Sequence, residues 1–385
     1  MAPWWAENSK EAASSGLGDL AAGLKAFSDS KHGRRAGAKL GFPRFKRRGR
    51  ARASFRYTTG SFGVSGRARV QLPRIGHVRS HEPTTKLARK LDRGEARVLS
   101  ATVSREGDRW FCSLCCEVER ADLSPARGDV VGVDAGVRYL ASLSTGEQVT
   151  NPRALERAQR RSRRYQRRLD RQRRANNPDC FDEHGRAIRG RRSARRSGRQ
   201  RRTERRVGRL HAHTANVRRD AMDKLTSRLA AQHATVVVER LNARGLCRAG
   251  NRGLRRALHD AGLAEIRRQL AYKTAWRGGT LIQAPALYPS SKTCSACGAA
   301  KAKLPLSERT YRCEHCGLVL DRDENAARNL AALARRVAAS GAETENARSP
   351  SRIRPGPAGR WLDREAGSAP LAHQTGTAPE QSEAT

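Results

Sequence analysis

The spacing of apolar positions changes along the chain, and each change marks a different kind of element. Residues 9–27 put Leu17, Leu20, Leu24 and Phe27 on one helical face. Trp4 and Trp5 stand just before it. An apolar face opening so early needs something to pack against, so this segment reads as the middle of a domain. From about 41 to 120 the period shortens to two. Ser54–Thr58, Ala68–Leu72 and Ile75–Val78 alternate with basic residues, and Val98–Ser104 and Arg109–Val118 flank Arg105-Glu-Gly-Asp108 as a hairpin. Short basic strands with Gly and Pro punctuation predict an oligonucleotide-binding type of barrel. Unbroken apolar runs come next. Val130–Val133 ends in Asp134, Tyr139–Leu143 follows a tight turn, and Thr235–Val238 ends in Glu239. A helix over 258–276, a strand over 280–283 and a helix from Glu324, with Leu330, Leu333 and Val337 on one face, complete the pattern. Beyond about 340 the chain is rich in Ala, Gly, Pro, Ser and Glu, which predicts a disordered tail.

Charge narrows the class of partner. The 385 residues hold 78 Lys+Arg against 37 Asp+Glu, a net charge of +41. Such an excess calls for a polyanion, and nucleic acid is the default. No apolar run is long enough to span a bilayer and no signal-peptide segment opens the chain, so a cytoplasmic, nucleoid-associated location and no membrane partner are expected. Residues 153–209 hold 23 arginines in helix-forming sequence. Like charges along a helix repel unless phosphates neutralise them, so nucleic-acid contact is expected there, with Asn176–Ser197 as a mobile loop. Gly41–Arg48 sets two phenylalanines among cations, which suits stacking plus phosphate contact or, equally, a solvated basic loop anchored by its aromatics. His211 and His213 sit two apart on a helix and face different ways, so they read as non-ligands.

Nine cysteines supply the candidate chemistry. Cys294-Ser-Ala-Cys297 and Cys313-Glu-His-Cys316 form two close pairs, each followed by a glycine, Gly298 and Gly317. Each pair offers two thiolates to one tetrahedral ion, so a structural Zn²⁺ site is expected over about 288–320. Cys112, Cys115, Cys116, Cys180 and Cys247 are an odd set without a disulfide pattern and read as free thiols. Cys112-Ser-Leu-Cys115 imitates a metal knuckle but lies in strand-like sequence with no second pair.

Three carboxylates stand at element ends: Asp134 and Glu239 after strands, Asp323 at a helix start. Strand ends place side chains at the sheet rim, where ligands bind. Three acids brought together repel unless hard cations intervene, and oxygen donors select Mg²⁺ or Mn²⁺. Two such ions would activate a water and stabilise a leaving oxygen in phosphodiester hydrolysis. A strand Asp, a strand Glu and a helix Asp in that order form an RNase H-like nuclease arrangement.

Val131-Gly-Val-Asp-Ala-Gly136, Val237-Val-Glu-Arg-Leu-Asn242, Tyr288-Pro-Ser-Ser-Lys-Thr-Cys-Ser295 and Leu320-Asp-Arg-Asp-Glu-Asn-Ala-Ala-Arg-Asn-Leu330 resemble the TnpB (OrfB) proteins of bacterial insertion sequences. His211–Thr226 and Asp260–Lys273 resemble further family segments, so the likeness covers about residues 3–337. It implies an α+β multidomain fold: an OB-like β-barrel plus an RNase H-like (RuvC) α/β nuclease domain with a helical insertion and a zinc-ribbon insert. The corresponding boundaries are a remnant of a helical recognition lobe at 1–32, the barrel (wedge) domain at 33–125 and the RuvC core at 126–287. The core carries an Arg-rich insertion at 153–230. The zinc ribbon falls at 288–320, the last core helix at 321–340 and the tail at 341–385. The resemblance also implies a transposon-encoded, RNA-guided DNA endonuclease, associated with DNA transposition and often labelled a transposase. Its partners would be a guide RNA from the element end and double-stranded target DNA. Asp134, Glu239 and Asp323 match the catalytic triad, and Cys294, Cys297, Cys313 and Cys316 match the zinc ligands.

Family members usually carry a further segment ahead of the point where this sequence starts, so either a start upstream of Met1 or a truncated copy is expected, with the reading of the motif beside the target in doubt. Arg240 stands where an acidic residue is usual, and Pro285 and Leu287 replace a more polar-aromatic pattern. A nuclease-inactive or decayed nucleic-acid-binding protein, such as a guided repressor, is the competing reading. Retention of all three carboxylates speaks for the enzyme. A strand-transfer transposase finds no recognisable tyrosine site here.

Overall fold

The computed structural model describes residues 9–45, 53–119, 129–191, 195–305 and 307–340. Trp4, Trp5, the Lys46–Arg48 end of the basic loop and the tail beyond 340 lie outside them. The described residues divide into two compact units, one up to Glu119 and the other from Asp129 onward. Among them no helix is long and apolar enough to cross a membrane.

The first unit opens with α1 (Lys10–Lys31), longer than its sequence pattern predicts. Its apolar stripe is not covered: Leu17, Leu20 and Leu24 are 68%, 49% and 38% exposed, and no α1 residue is fully buried. The helix touches the sheet through its other side, where Ser15 Oγ accepts from the Arg56 N–H and Ala12 packs on the core. Strands β1 (Ser54–Tyr57), β5 (Ala96–Glu106) and β6 (Arg109–Val118) form one antiparallel sheet in the order β1-β5-β6. Strands β2 (Gly63–Ser65), β3 (Arg69–Leu72) and β4 (Gly76–Arg79) form another, and α2 (Thr85–Asp92) links the two. Tyr57, Val70, Leu72, Ala101 and Val103 make the shared core, so alternate positions point inward as the period-two pattern requires. Among the described residues these are two packed three-stranded sheets, not one closed ladder. Cys112 and Cys115 lie on β6, as their strand-like context predicts.

The second unit is a five-stranded mixed sheet in the order β11-β10-β7-β8-β9. Here β7 is Val130–Asp134, β8 Tyr139–Leu143, β9 Gln148–Thr150, β10 Thr235–Val238 and β11 Thr280–Gln283. Strands β7, β8 and β9 form an antiparallel meander, while β10 runs parallel to both β7 and β11. The central strands are buried on both faces, which is why they read as unbroken apolar runs. One face is covered by α4 (Gly198–Gln232) and α7 (Leu263–Trp276), through Met222, Leu225, Leu229, Ile266 and Leu270. The other is covered by α8 (Arg322–Ser340), through Leu330 and Ala334.

Helix α3 (Ala154–Asn176) pairs with the first half of α4 and buries only Ala154 and Leu169. The link between them is tied rather than free. Asn177 exchanges two hydrogen bonds with Arg195, at 3.0 and 2.9 Å, and Phe181 pairs with Ala187. The predicted helix over 258–276 is instead α6 (Arg252–Ala261) and α7, with α5 (Ala243–Ala249) before them. Gly262 breaks it at φ 62°, a left-handed conformation, and a Cβ there would meet Met222 Sδ at 2.8 Å.

Candidate functional site

Asp134 is the last residue of β7, and Glu239 follows β10, the parallel neighbour in register with β7. The pairing Val133↔Val238 therefore sets the two residues side by side at the carboxyl ends of neighbouring strands. Asp323 arrives from the first turn of α8. That helix reaches the sheet because Gly132 has no side chain: a Cβ there would lie 1.9 Å from the Ala327 carbonyl oxygen. Asp321, which ends β13 (Val319–Asp321), caps the helix, its Oδ1 accepting from the N–H groups of Asp323 and Glu324 at 2.9 and 3.2 Å.

All three carboxylates are half-buried. Burial, then the proximity of Asp323 and Glu239, push the Asp134 carboxyl up to about 8, with Arg322 opposing. Burial raises Glu239 as well. Asp323 is raised by burial and by Asp321, against the pull of Arg309, Arg322 and Arg138. The Arg309 guanidinium stands 3.9 Å from the Asp323 carboxylate. The repulsion from the other two carboxylates adds to burial at Asp134. A small cavity beside Asp134's strand is lined by Val133, Val238, Glu239, Ile266 and Arg267. Three acids that resist shared ionisation are the donor set a hard divalent cation stabilises.

The four cysteines also meet. Their Sγ atoms all lie within 4.8 Å of one another, and they form the one such metal-capable group among the described residues. Cys294–Cys316 and Cys297–Cys313 are each 3.6 Å apart. A tetrahedral ion with sulfur bonds of ~2.3 Å separates its ligands by roughly 3.8 Å, so the cluster is near the size such an ion needs. Each pair sits on a tight turn, with Gly298 N–H donating to the Cys294 carbonyl and Gly317 N–H to that of Cys313. Both glycines are left-handed, at φ 77° and 73°. Strand β12 (Thr310–Arg312) pairs with β13 behind the second knuckle, and buried Tyr311 and Leu304 fill the small core. The backbone N–H groups of Cys316 and His315 draw the Cys313 thiol down to about 6.

The sequence pattern had no role for Asn325 and Asn329. Both are buried on α8, and both bind the loop that carries the first knuckle. The signal was present: two amides four apart on an otherwise apolar helix face must find backbone partners.

Comparison with known proteins agrees in outline. A family model described as "Probable transposase" (OrfB) matches residues 113–249, and one described as "Cas12f1-like, TNB domain" matches 264–330. A Mycobacterium tuberculosis H37Rv protein named "Putative RNA-guided DNA endonuclease" is 38% identical over 343 residues, covering 85% of this chain and 69% of that protein. Proteins of the same description from Streptomyces pristinaespiralis and Escherichia coli K12 are 36% and 30% identical. They align over 78% and 80% of this chain and 67% and 72% of their own. A cryo-EM structure of a Cas12f1-sgRNA-target DNA complex is a distant likeness, with TM-score 0.45 and 15% identity over 81% of this chain and 70% of that one.

Proposed function

The chain belongs to the OrfB (TnpB) family, and on that premise we propose that it is an RNA-guided DNA endonuclease. The observation that supports this is the placement of Asp134 and Glu239 after neighbouring parallel strands, with Asp323 near enough to add to the burial that pushes Asp134 up to about 8. In this reading the second unit is an RNase H-like (RuvC) core. Its carboxylates hold Mg²⁺ or Mn²⁺, which when bound supplies the charge that activates a water and steadies the leaving oxygen. Asp134 and Glu239 present oxygens from adjacent strands. Asp323 closes the site from α8, and Arg309 and Arg138 temper its charge. Cys294, Cys297, Cys313 and Cys316 hold a structural Zn²⁺, with no open position needed.

The arginine-rich faces of α3 and α4 engage phosphates of guide RNA and target DNA. Support comes from their composition: Arg160, Arg161, Arg164 and Arg168 on α3 are largely solvent-facing, and acidic partners are few. The test is cleavage of matching double-stranded DNA with guide RNA and Mg²⁺. The protein should cut, and Asp134→Ala should not, while keeping its RNA affinity. Tight RNA-directed DNA binding without cutting by either form would instead favour the repressor reading.

A further inference from the structure

We infer that Asn325 and Asn329 are positioning residues that couple the four-cysteine site to the carboxylate site, an inference that rests on the metal reading of both. The two amides sit one turn apart on α8, at 0% and 5% exposure. Asn325 Oδ1 accepts from the Ser295 N–H at 2.9 Å, and its Nδ2 donates to the Thr293 carbonyl at 2.7 Å. Asn329 Nδ2 donates to the carbonyls of Ser290 and Thr293 at 2.8 and 2.7 Å. Thr293 O thus receives both side chains. Tyr288 OH adds a longer bond to the Asn329 carbonyl.

The segment held this way, 290–295, includes Cys294 and has little regular structure of its own beyond the Thr293–Ala300 bridge. It is fixed from one side by the knuckle and from the other by the two amides. Asp323 lies two residues before Asn325, in the turn capped by Asp321. Cys294 and Asp323 are therefore joined by a short path: a peptide bond, a directional hydrogen bond to a buried amide, and half a helical turn. Apolar packing alone would let loop and helix slide. Four hydrogen bonds to backbone atoms fix the register between them. An ion on the four thiolates that orders the knuckle must then also order the start of α8, and coupling of this kind is reciprocal.

The test measures Mn²⁺ binding to the full chain by calorimetry, with the cysteine site loaded with Zn²⁺ or stripped of it. Thiolates select zinc and carboxylates accept manganese, so the two ions report on separate sites. Stripping zinc should weaken Mn²⁺ binding about fivefold or more, the lower end of ordinary coupling. In Asn325→Ala/Asn329→Ala protein, zinc content should stay near one per chain while Mn²⁺ affinity is weak and indifferent to zinc. Loss of zinc content in that variant would overturn the separable role of the amides. A variant that kept the full zinc dependence would overturn their role altogether. The wild-type comparison needs no variant: measurable Mn²⁺ affinity unchanged by zinc overturns the coupling alone. No Mn²⁺ binding in either form overturns the metal reading of the carboxylates as well.

Discussion

The four cysteines and the three carboxylates of the second unit are brought together in opposite ways. The cysteine cluster is local: two tight turns, each closed by its own glycine, bring four sulfurs together within one short segment. The carboxylate cluster is assembled by the fold, from two strand ends and a helix start at positions 134, 239 and 323. The first is nearly complete as a ligand shell, with sulfurs at 3.6 Å. In the second, burial and then the neighbouring carboxylates push Asp134 up to about 8. Local construction yields a closed site suited to holding structure. Construction by the fold yields a half-buried group of acids that depends on every contact that brings its elements together.

The largest expected contrast is in activity. Asp134→Ala should lower guided DNA cleavage by about three orders of magnitude or more, while metal analysis still finds one zinc per chain. Retained cleavage would break the contrast at its root.

Next comes the packing that brings Asp323 to the sheet. Gly132→Val forces a branched side chain into the α8 backbone and should cost about 3 kcal/mol or more in denaturant unfolding, leaving the zinc content of the folded fraction unchanged. A third effect is in pH. A carboxyl raised in the folded state is easier to keep protonated there than in the unfolded chain. Its contribution is full below the ordinary carboxylate range and is lost as pH rises through about 8. Stability without divalent ions should therefore fall between about pH 4 and pH 8, by an amount on the order of a few kcal/mol. Mg²⁺ should reverse the fall and Asp134→Asn should flatten it, both readable as melting temperature. The smallest effect sharpens the local side. Cys112→Ser/Cys115→Ser removes a close pair that lies on a strand, and bound zinc should not change.

The same contrast explains what could be read from the sequence. The knuckles, the strands ending in Asp134 and Glu239 and the hairpin around Arg105–Asp108 are local patterns, and the structure shows them as such. What escaped were features defined by a distant partner. Gly132 is ordinary until α8 lies on it. Gly262 ends α6 in a left-handed conformation, and Met222 lies where a side chain there would go. Asn325 and Asn329 matter only against the loop they hold. The stripe on α1 was visible, but its exposure follows from what does or does not cover it, which no helical period encodes.

Helix α4 has one more consequence. Its 35 residues span roughly 52 Å at the usual rise. Met222, Leu225 and Leu229, near its C-terminal end, are rooted in the sheet, while its other end lies beside α3. It is a lever with a short arm in the core and a long arm outside. A tilt of about 5° about the root carries the far end by about 4 Å, given that length. A polyanion pulling on the outer arginines would thus act on the sheet that carries Asp134 and Glu239 with mechanical advantage.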